Sequence, residues 1–165
     1  IHPHRAKLIK QNCERLKITN VDIEVRDSRI PDVERYNTFD KVLIDAPCSG
    51  LGVIRRKPDI KWSKKPKDIV SLRSEQKKIL NTCAEYVKPG GTLVYSTCSI
   101  DPEENTHIVD EFLIENKDFA YDDLKSCLPG RLFEETNKGV GHITIYPNIS
   151  GIDGFFIAKL KRHKV

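Results

Sequence analysis

The sequence predicts an α/β fold with a mostly parallel sheet and helices on both faces. Three observations predict it. Val42-Leu43-Ile44 and Thr92-Leu93-Val94-Tyr95-Ser96 are short apolar runs, suited to strands buried on both faces. Between them, residues 67–87 place Ile69, Leu72, Ile79, Leu80, Cys83 and Val87 on one side of a long helix. The chain then closes on two strand-like stretches, 142–146 and 154–161, which would form a β-hairpin.

The other elements follow in order. Residues 3–17 read as a helix, with Pro3 in its first turn and Ile9, Cys13 and Leu16 on one face. Residues 21–25 alternate apolar and polar, as a short strand does, and Asp27 follows in the loop. Pro47, Gly50 and Gly52 break the chain after the strand at 41–45. Lys88-Pro89-Gly90-Gly91 is expected to stop the long helix. Asp101-Pro102-Glu103-Glu104 is a helix start, with Asp101 as cap and Glu104 completing a capping box, and the helix should run to about Glu115. Residues 119–121 form another short strand. A single domain is the natural reading of 165 residues with 38% apolar content, which is enough for a core.

Composition narrows the function classes. Twenty-eight basic residues against 24 acidic give a formal charge of +4, which permits a nucleic-acid partner but argues for one only with a local patch. No apolar run reaches the length of a membrane span. The five cysteines are widely spaced and include no C-x-x-C pair, which suits a reducing, cytoplasmic setting rather than a disulfide framework. His2 and His4 have no cysteine beside them, so no metal site is expected. The chain opens on Ile1 and enters a helix almost at once, and reads as a piece of a longer protein.

Ligand sites in open α/β sheets lie beyond the carboxyl ends of the strands. Asp27, the segment Asp45-Ala46-Pro47-Cys48 and the segment Thr97-Cys98 fall at such ends. Proline holds its neighbours rigidly there, Asp45 offers a carboxylate and Cys48 a thiol. A structural turn with a small buried cysteine explains either thiol segment alone. Two thiols at neighbouring strand ends favour chemistry instead. The positive end of the helix after Cys98 would enrich its thiolate, while Glu103 and Glu104 would oppose this.

A thiolate here suits one difficult reaction. Cytosine C5 is a poor nucleophile, and thiolate attack at C6 turns it into an enamine-like carbon that accepts a methyl cation. Asp45 is placed to stabilise the N3 side of the adduct, and a second thiol would help release. The segment 55–67 suits the substrate: Arg55, Arg56, Lys57, Lys61, Lys64, Lys65 and Lys67 surround Asp59 and Trp62, the sole tryptophan. Cations hold phosphates and an aromatic ring stacks on a base. A solvated basic loop with a packed tryptophan is the plainer alternative. Cys13 and Cys83 lie on apolar helix faces and read as core, and Cys127 is assigned no role.

Four stretches carry a resemblance. They are Phe39 to Gly50 (FDKVLIDAPCSG), Val53 to Trp62 (VIRRKPDIKW), Gly90 to Ser99 (GGTLVYSTCS) with Pro102-Glu103-Glu104-Asn105, and Asp153-Gly154-Phe155-Phe156. Together, in this order and over nearly the whole chain, they resemble the bacterial Sun (Fmu) family of ribosomal RNA cytosine-5 methyltransferases. The resemblance implies a Rossmann-like sheet, S-adenosyl-L-methionine as cofactor and ribosomal RNA as partner. It implies Cys98 as nucleophile, Cys48 as the thiol that assists release, and Asp27, Asp45 and Pro47 beside the cofactor. DNA cytosine-5 methyltransferases use a Pro-Cys cysteine as nucleophile, so the swapped assignment stays open.

The chain departs from the family pattern in one respect. No Gly-rich cofactor loop after a first strand, and no acidic residue for the ribose after a second, is found in it. Residues 1–165 therefore read as an N-terminally truncated catalytic domain without the first two strands of the family sheet. On that reading residues 1–165 alone bind S-adenosyl-L-methionine weakly or not at all and are inactive. The gap beside the strand at 41–45 would be filled by a shifted first helix and strand, filled by another chain, or left open. An open edge invites self-association. An amine methyltransferase is a further alternative, because Asp45-Ala46-Pro47 resembles an Asp-Pro-Pro-aromatic segment, but Cys48 stands where the aromatic is needed. A non-catalytic RNA-binding module that keeps the fold is the other.

Overall fold

A computed structural model describes residues 1–63, 65–129, 132, 137–139 and 141–164. It divides into two units, Ile1–Ile30 and Pro31–Val165.

In the first unit, helix α1 (Pro3–Arg15) starts on a proline and ends just before Lys17, which turns the chain at φ +56°. α1 has no buried residue, and Cys13 is half-buried, so its expected place in a core is not found. Periodicity marks a face that can be covered, but burial needs a covering surface. Residues 21–25 form no strand, contrary to the alternation of their side chains. A strand is defined by its ladder, and alternation alone supplies no partner. Val21 and Val25 are both about half exposed.

The second unit is built on a sheet of strands β1 (Phe39–Asp45), β2 (Val87–Thr97), β3 (Phe119–Tyr121), β4 (Asn137–Gly139), β5 (His142–Ile145) and β6 (Phe155–Arg162). Their order is β1-β2-β6-β5-β4, with β3 also on β6. β1 and β2 are parallel, while the pairs β2·β6, β3·β6, β5·β6 and β4·β5 are antiparallel. The mostly parallel sheet expected from the sequence is therefore corrected: side-chain patterns report burial, not strand direction. The expected closing hairpin is present as β5 and β6, joined through the short helix α5 (Pro147–Ser150).

Helices α3 (Pro66–Ala84) and α4 (Thr106–Glu115) pack together on one face of the sheet. Helix α2 (Ile60–Ser63) precedes them as a single turn. The core between helices and sheet includes Ile44, Leu80, Leu93, Tyr95, Phe112 and Phe156. Ile44 pairs with Tyr95 in the parallel register, and Leu43 with Val94 on the opposite face. Leu43 is 72% exposed, so β1 is not buried on both faces as expected. Within this unit α3 and α4 serve the Ile44 face alone, and β1 is an edge strand.

Two local expectations also change. α3 ends at Ala84, and Lys88 to Gly91 lie within β2, where the register jumps from Phe39–Val87 to Lys41–Thr92. Gly90 takes φ +79° in that irregularity, a conformation that costs glycine nothing. The helix expected from Asp101 is split into a 3-10 turn at Pro102–Glu104 and α4, with Asn105 between them at φ −118°, ψ −100°. Asp101 does cap, accepting the Glu103 N–H at 3.0 Å, but Glu104 is fully buried and makes no capping box.

Candidate active site

The parallel register sets Asp45 opposite Ser96, so β1 and β2 deliver their last residues side by side. The Ala46 N–H extends the ladder by donating to the Ser96 carbonyl at 2.9 Å. The two following turns then place the Cys48 and Cys98 sulfurs 3.3 Å apart, both half-buried. Two thiols at that distance titrate together. Cys98 is lowered to about 7, first by the hydrogen bond from Cys48; burial and the Asp45 charge oppose this, and the Lys57 charge assists. Cys48 is raised, first by the same hydrogen bond and then by burial. A 3-10 turn at Pro102–Glu104, rather than α4, follows Cys98, and the second thiol is the largest influence on it.

Beneath the thiols lies a polar layer that the residue pattern did not single out. The Glu104 carboxyl accepts from the Ser49 N–H at 2.8 Å, the Ser49 hydroxyl, the Ser99 hydroxyl at 2.6 Å and Gln76 Nε2 at 3.1 Å. Gln76 Nε2 also donates to the Pro47 carbonyl at 2.8 Å. Thr97 Oγ1 donates to Asn105 Oδ1 at 2.6 Å, and Asn105 Nδ2 to the Ser99 carbonyl at 3.0 Å. The available signal was a serine after each cysteine, Cys48-Ser49 and Cys98-Ser99, at both strand ends.

The third support is backbone against backbone. Gly52 N–H donates to the Cys98 carbonyl at 2.9 Å, and Gly154 N–H to the Gly52 carbonyl at 2.8 Å. A Cβ on Gly52 would overlap the Gly154 carbonyl and stand 2.8 Å from the Cys98 carbonyl oxygen. Gly52→Ala is expected to cost about 1–3 kcal/mol, as overpacking does, read as a lower urea midpoint at unchanged slope. Next to Gly154, Asp153 pairs with Arg56 at 2.8 Å and Arg55 at 3.4 Å, and Arg55 Nη1 donates to the Gly151 carbonyl at 2.7 Å.

The other site residues expected from the sequence fall as follows. Asp45 and Pro47 are exposed at the rim of the thiol pair. Lys57 is exposed and acts on Cys98 through its charge. Lys61, Lys65 and Lys67 are exposed, and Trp62 is 85% exposed, so it is not a packed core tryptophan. Lys64 lies outside the described residues. Asp27 belongs to the first unit, at no strand end. Its carboxyl is engaged by Arg29 through side-chain contacts at 2.7 and 2.9 Å, and this pairing, with the Arg29 N–H, lowers it to about 2. Cys83 is buried, as its helix face predicted, and Cys127 is exposed. Among the described residues no cluster of three or more His, Cys, Asp or Glu is arranged for a metal ion, and no helix is long and apolar enough to cross a membrane.

Known proteins share this arrangement of sequence and backbone. A probable ribosomal RNA small subunit methyltransferase B of Bacillus subtilis (strain 168) is 44% identical over 98% of the chain and 36% of its own length. A ribosomal RNA small subunit methyltransferase B of Pectobacterium atrosepticum is 42% identical over 96% of the chain and 34% of its own length. The chain thus spans about a third of the length of these curated relatives. Among solved structures, PH0851 superposes with a TM-score of 0.89 at 32% identity, over 98% of the chain and 35% of that protein. NSun6 from Pyrococcus horikoshii, solved with SFG, gives 0.80 at 30% identity, over 99% of the chain and 40% of that protein. The fold is accordingly of the Rossmann-like α/β kind found in S-adenosylmethionine-dependent RNA methyltransferases. A family model described as 16S rRNA methyltransferase RsmB/F matches residues 1–161, and with that match the chain belongs to this family.

Proposed function

We propose that this chain is part of the catalytic domain of a cytoplasmic methyltransferase that acts on C5 of cytosine in ribosomal RNA, with Cys98 as nucleophile. The observation that carries the reading is the pair of sulfurs 3.3 Å apart with opposed proton affinities. The Cys98 thiolate forms a bond to C6, the electron pair of the C5–C6 double bond shifts so that negative charge develops toward N3, and a proton shared between the Asp45 carboxyl and N3 offsets that charge and returns to Asp45 when the double bond is restored. C5 then accepts the methyl group. Loss of the C5 proton to a base restores the double bond as the Sγ–C6 bond breaks and Cys98 leaves as thiolate, with Cys48 as the proton source nearest to it.

S-adenosyl-L-methionine supplies the methyl cation when bound. An exposed carboxyl beside the thiols fits a cationic donor, and Asp45 with Pro47 would hold it on this side of the site. Asp27 enters through the family resemblance alone. The relative from Pyrococcus horikoshii solved with SFG, an analogue of the donor, supports the choice of cofactor.

The direct test is adduct trapping in the full-length enzyme with RNA carrying 5-fluorocytosine, in which the C5 proton is replaced and release is blocked. Wild type and Cys48→Ala should form the covalent complex and Cys98→Ala should not. The reverse pattern would make Cys48 the nucleophile.

Lys57, Lys61 and Trp62 form the RNA side of the site in this reading, with Arg55 and Arg56 shared between phosphate and Asp153. A base within RNA structure must be turned out to reach the thiols. Neutralising Lys57 and Lys61 to glutamine should lower the slope of log affinity against log salt by roughly 1.4 to 1.8, as expected for two lost phosphate contacts. An unchanged slope would remove these lysines from the interface.

A further inference from the structure

Glu104 stands out among the groups that the chemistry above does not use. It is fully buried. Its four donors are all neutral, and three of them belong to the serines that directly follow the two cysteines. One oxygen, Oε2, receives both hydroxyls, Ser49 from the Cys48 turn and Ser99 from the Cys98 turn, and these hydroxyls lie 3.2 Å from each other. The other, Oε1, receives the Ser49 N–H and Gln76, and Gln76 also holds the Pro47 carbonyl just before Cys48. Its own backbone is pinned as well: the Tyr95 hydroxyl donates to the Glu104 carbonyl at 2.8 Å from within β2.

Burying an ionisable group is costly unless every oxygen is satisfied. Here each satisfying bond falls on one of the thiol turns or on the helix beneath them. The two turns also touch directly, through the Ser49 and Ser99 hydroxyls and through the Gly52 N–H on the Cys98 carbonyl, but Glu104 accepts from both serines with one oxygen and from a third element, α3, with the other. β1 and β2 are ordinary parallel neighbours, and their ladder stops at Ala46 and Ser96. The ladder therefore does not set the distance between sulfurs two residues further on.

We propose that Glu104 is a positioning residue that clamps the Cys48 and Cys98 turns together and so sets the separation of the two sulfurs. The proposal rests on the reading of Cys98 as nucleophile. Its consequence is chemical. The hydrogen bond from Cys48 is what favours the Cys98 thiolate, and it operates only while the sulfurs stay in contact. The other charged groups acting on Cys98 are Asp45 from the end of β1, which disfavours the thiolate, and Lys57 from the loop before α2, which favours it.

The test is the pH profile of Cys98 alkylation by iodoacetamide in the full chain, with Cys98 distinguished from the other four cysteines by peptide mass mapping. Wild type should show a midpoint near 7. Glu104→Asp keeps the charge but shortens the reach, and its midpoint should rise to roughly 8.5, the ordinary thiol value. Its rate at pH 7 should fall only about threefold, because the more basic thiolate is also the stronger nucleophile. Glu104→Gln keeps the reach, and the serine hydroxyls can turn to accept from its amide, so its midpoint should stay near 7. A role through charge alone would instead leave the aspartate variant unchanged and lower the midpoint of the glutamine variant. A role in packing alone would lower the melting temperature of Glu104→Asp without moving its midpoint. Ser99→Ala removes one arm of the clamp at the cost of one hydroxyl and should raise the midpoint even if Glu104→Asp fails to fold. Folded Glu104→Asp and Ser99→Ala proteins with the wild-type midpoint would overturn the clamp. A wild-type midpoint at the ordinary thiol value would instead overturn the assignment of Cys98, and the clamp with it.

Discussion

Cys98→Ser in the full-length enzyme is expected to reduce turnover by at least about 10⁴-fold, as loss of a covalent nucleophile does. The oxygen is a close match in size, so the loss reports chemistry rather than packing. Near pH 7 about half of Cys98 is thiolate at a midpoint of about 7. A serine hydroxyl is almost wholly protonated there, and its neighbour Cys48 holds its own proton tightly. The pH dependence has a definite sign. Adduct formation needs the deprotonated form, so its rate should rise with pH through about 7 and then level, falling about tenfold per unit on the acid side. Cys48→Ala removes the bond that most favours the thiolate, so its acid limb should move up toward roughly 8.5. Adduct formation would survive in that variant while release slowed. Single-turnover measurements on both variants separate the two steps. Equal losses in adduct formation would show that the thiols are not divided in role.

Phe156→Ala should carry the largest stability cost, about 3–5 kcal/mol for truncating a buried phenylalanine. Phe156 is fully buried, stands edge-on to Tyr95 with centroids 6.3 Å apart, and pairs with Thr97 across β2 and β6. A single domain has roughly 5–15 kcal/mol in all, so the variant would lose much of its margin. The thermal midpoint should fall by about 10 °C at the usual conversion for this size. The same change acts on the site. Tyr95 holds the Glu104 carbonyl, and Thr97 is the residue before Cys98. A variant that melted within about 2 °C of wild type, well below the shift expected for such a loss, would show that β6 is not integral to the core.

The sequence showed the elements of the second unit more clearly than their arrangement. Val42 to Ile44, Thr92 to Ser96, the helix around Leu80 and the closing strands are present because long apolar patterns reflect burial, which dominates folding. Strand direction at β6 was not legible, since both directions alternate in the same way. Residues 21–25 failed as a strand for want of a ladder, and Leu43 failed as a buried residue because α3 and α4 cover only the opposite face of β1. In the site, the two thiols were legible because strand ends gather ligand groups, and the parallel pair brings both to one end of the sheet, but their meeting at 3.3 Å depends on the turns beyond the ladder. Glu104 was misread because a local rule, the capping box, fitted its spacing, while the actual partners lie 5, 28 and 55 residues away. Arg55 and Arg56 were legible as cations suited to phosphate, but not as partners of a distant carboxylate. Asp153, nearly a hundred residues on, is invisible to any local pattern.

The contact of Gly52 with Gly154 bears on how the protein is made. Synthesis delivers Cys48 and Cys98 long before residues 154–162, yet β6 lies between β2 and β5 and the Gly154 N–H closes onto the loop that holds the Cys98 carbonyl. Pairings this distant in sequence form late, because the intervening chain must first be ordered. On the ribosome, then, both thiols emerge into solvent without the sheet that will frame them. Until β6 pairs with β2, the thiols lack that frame and stand open to oxidants and alkylating agents.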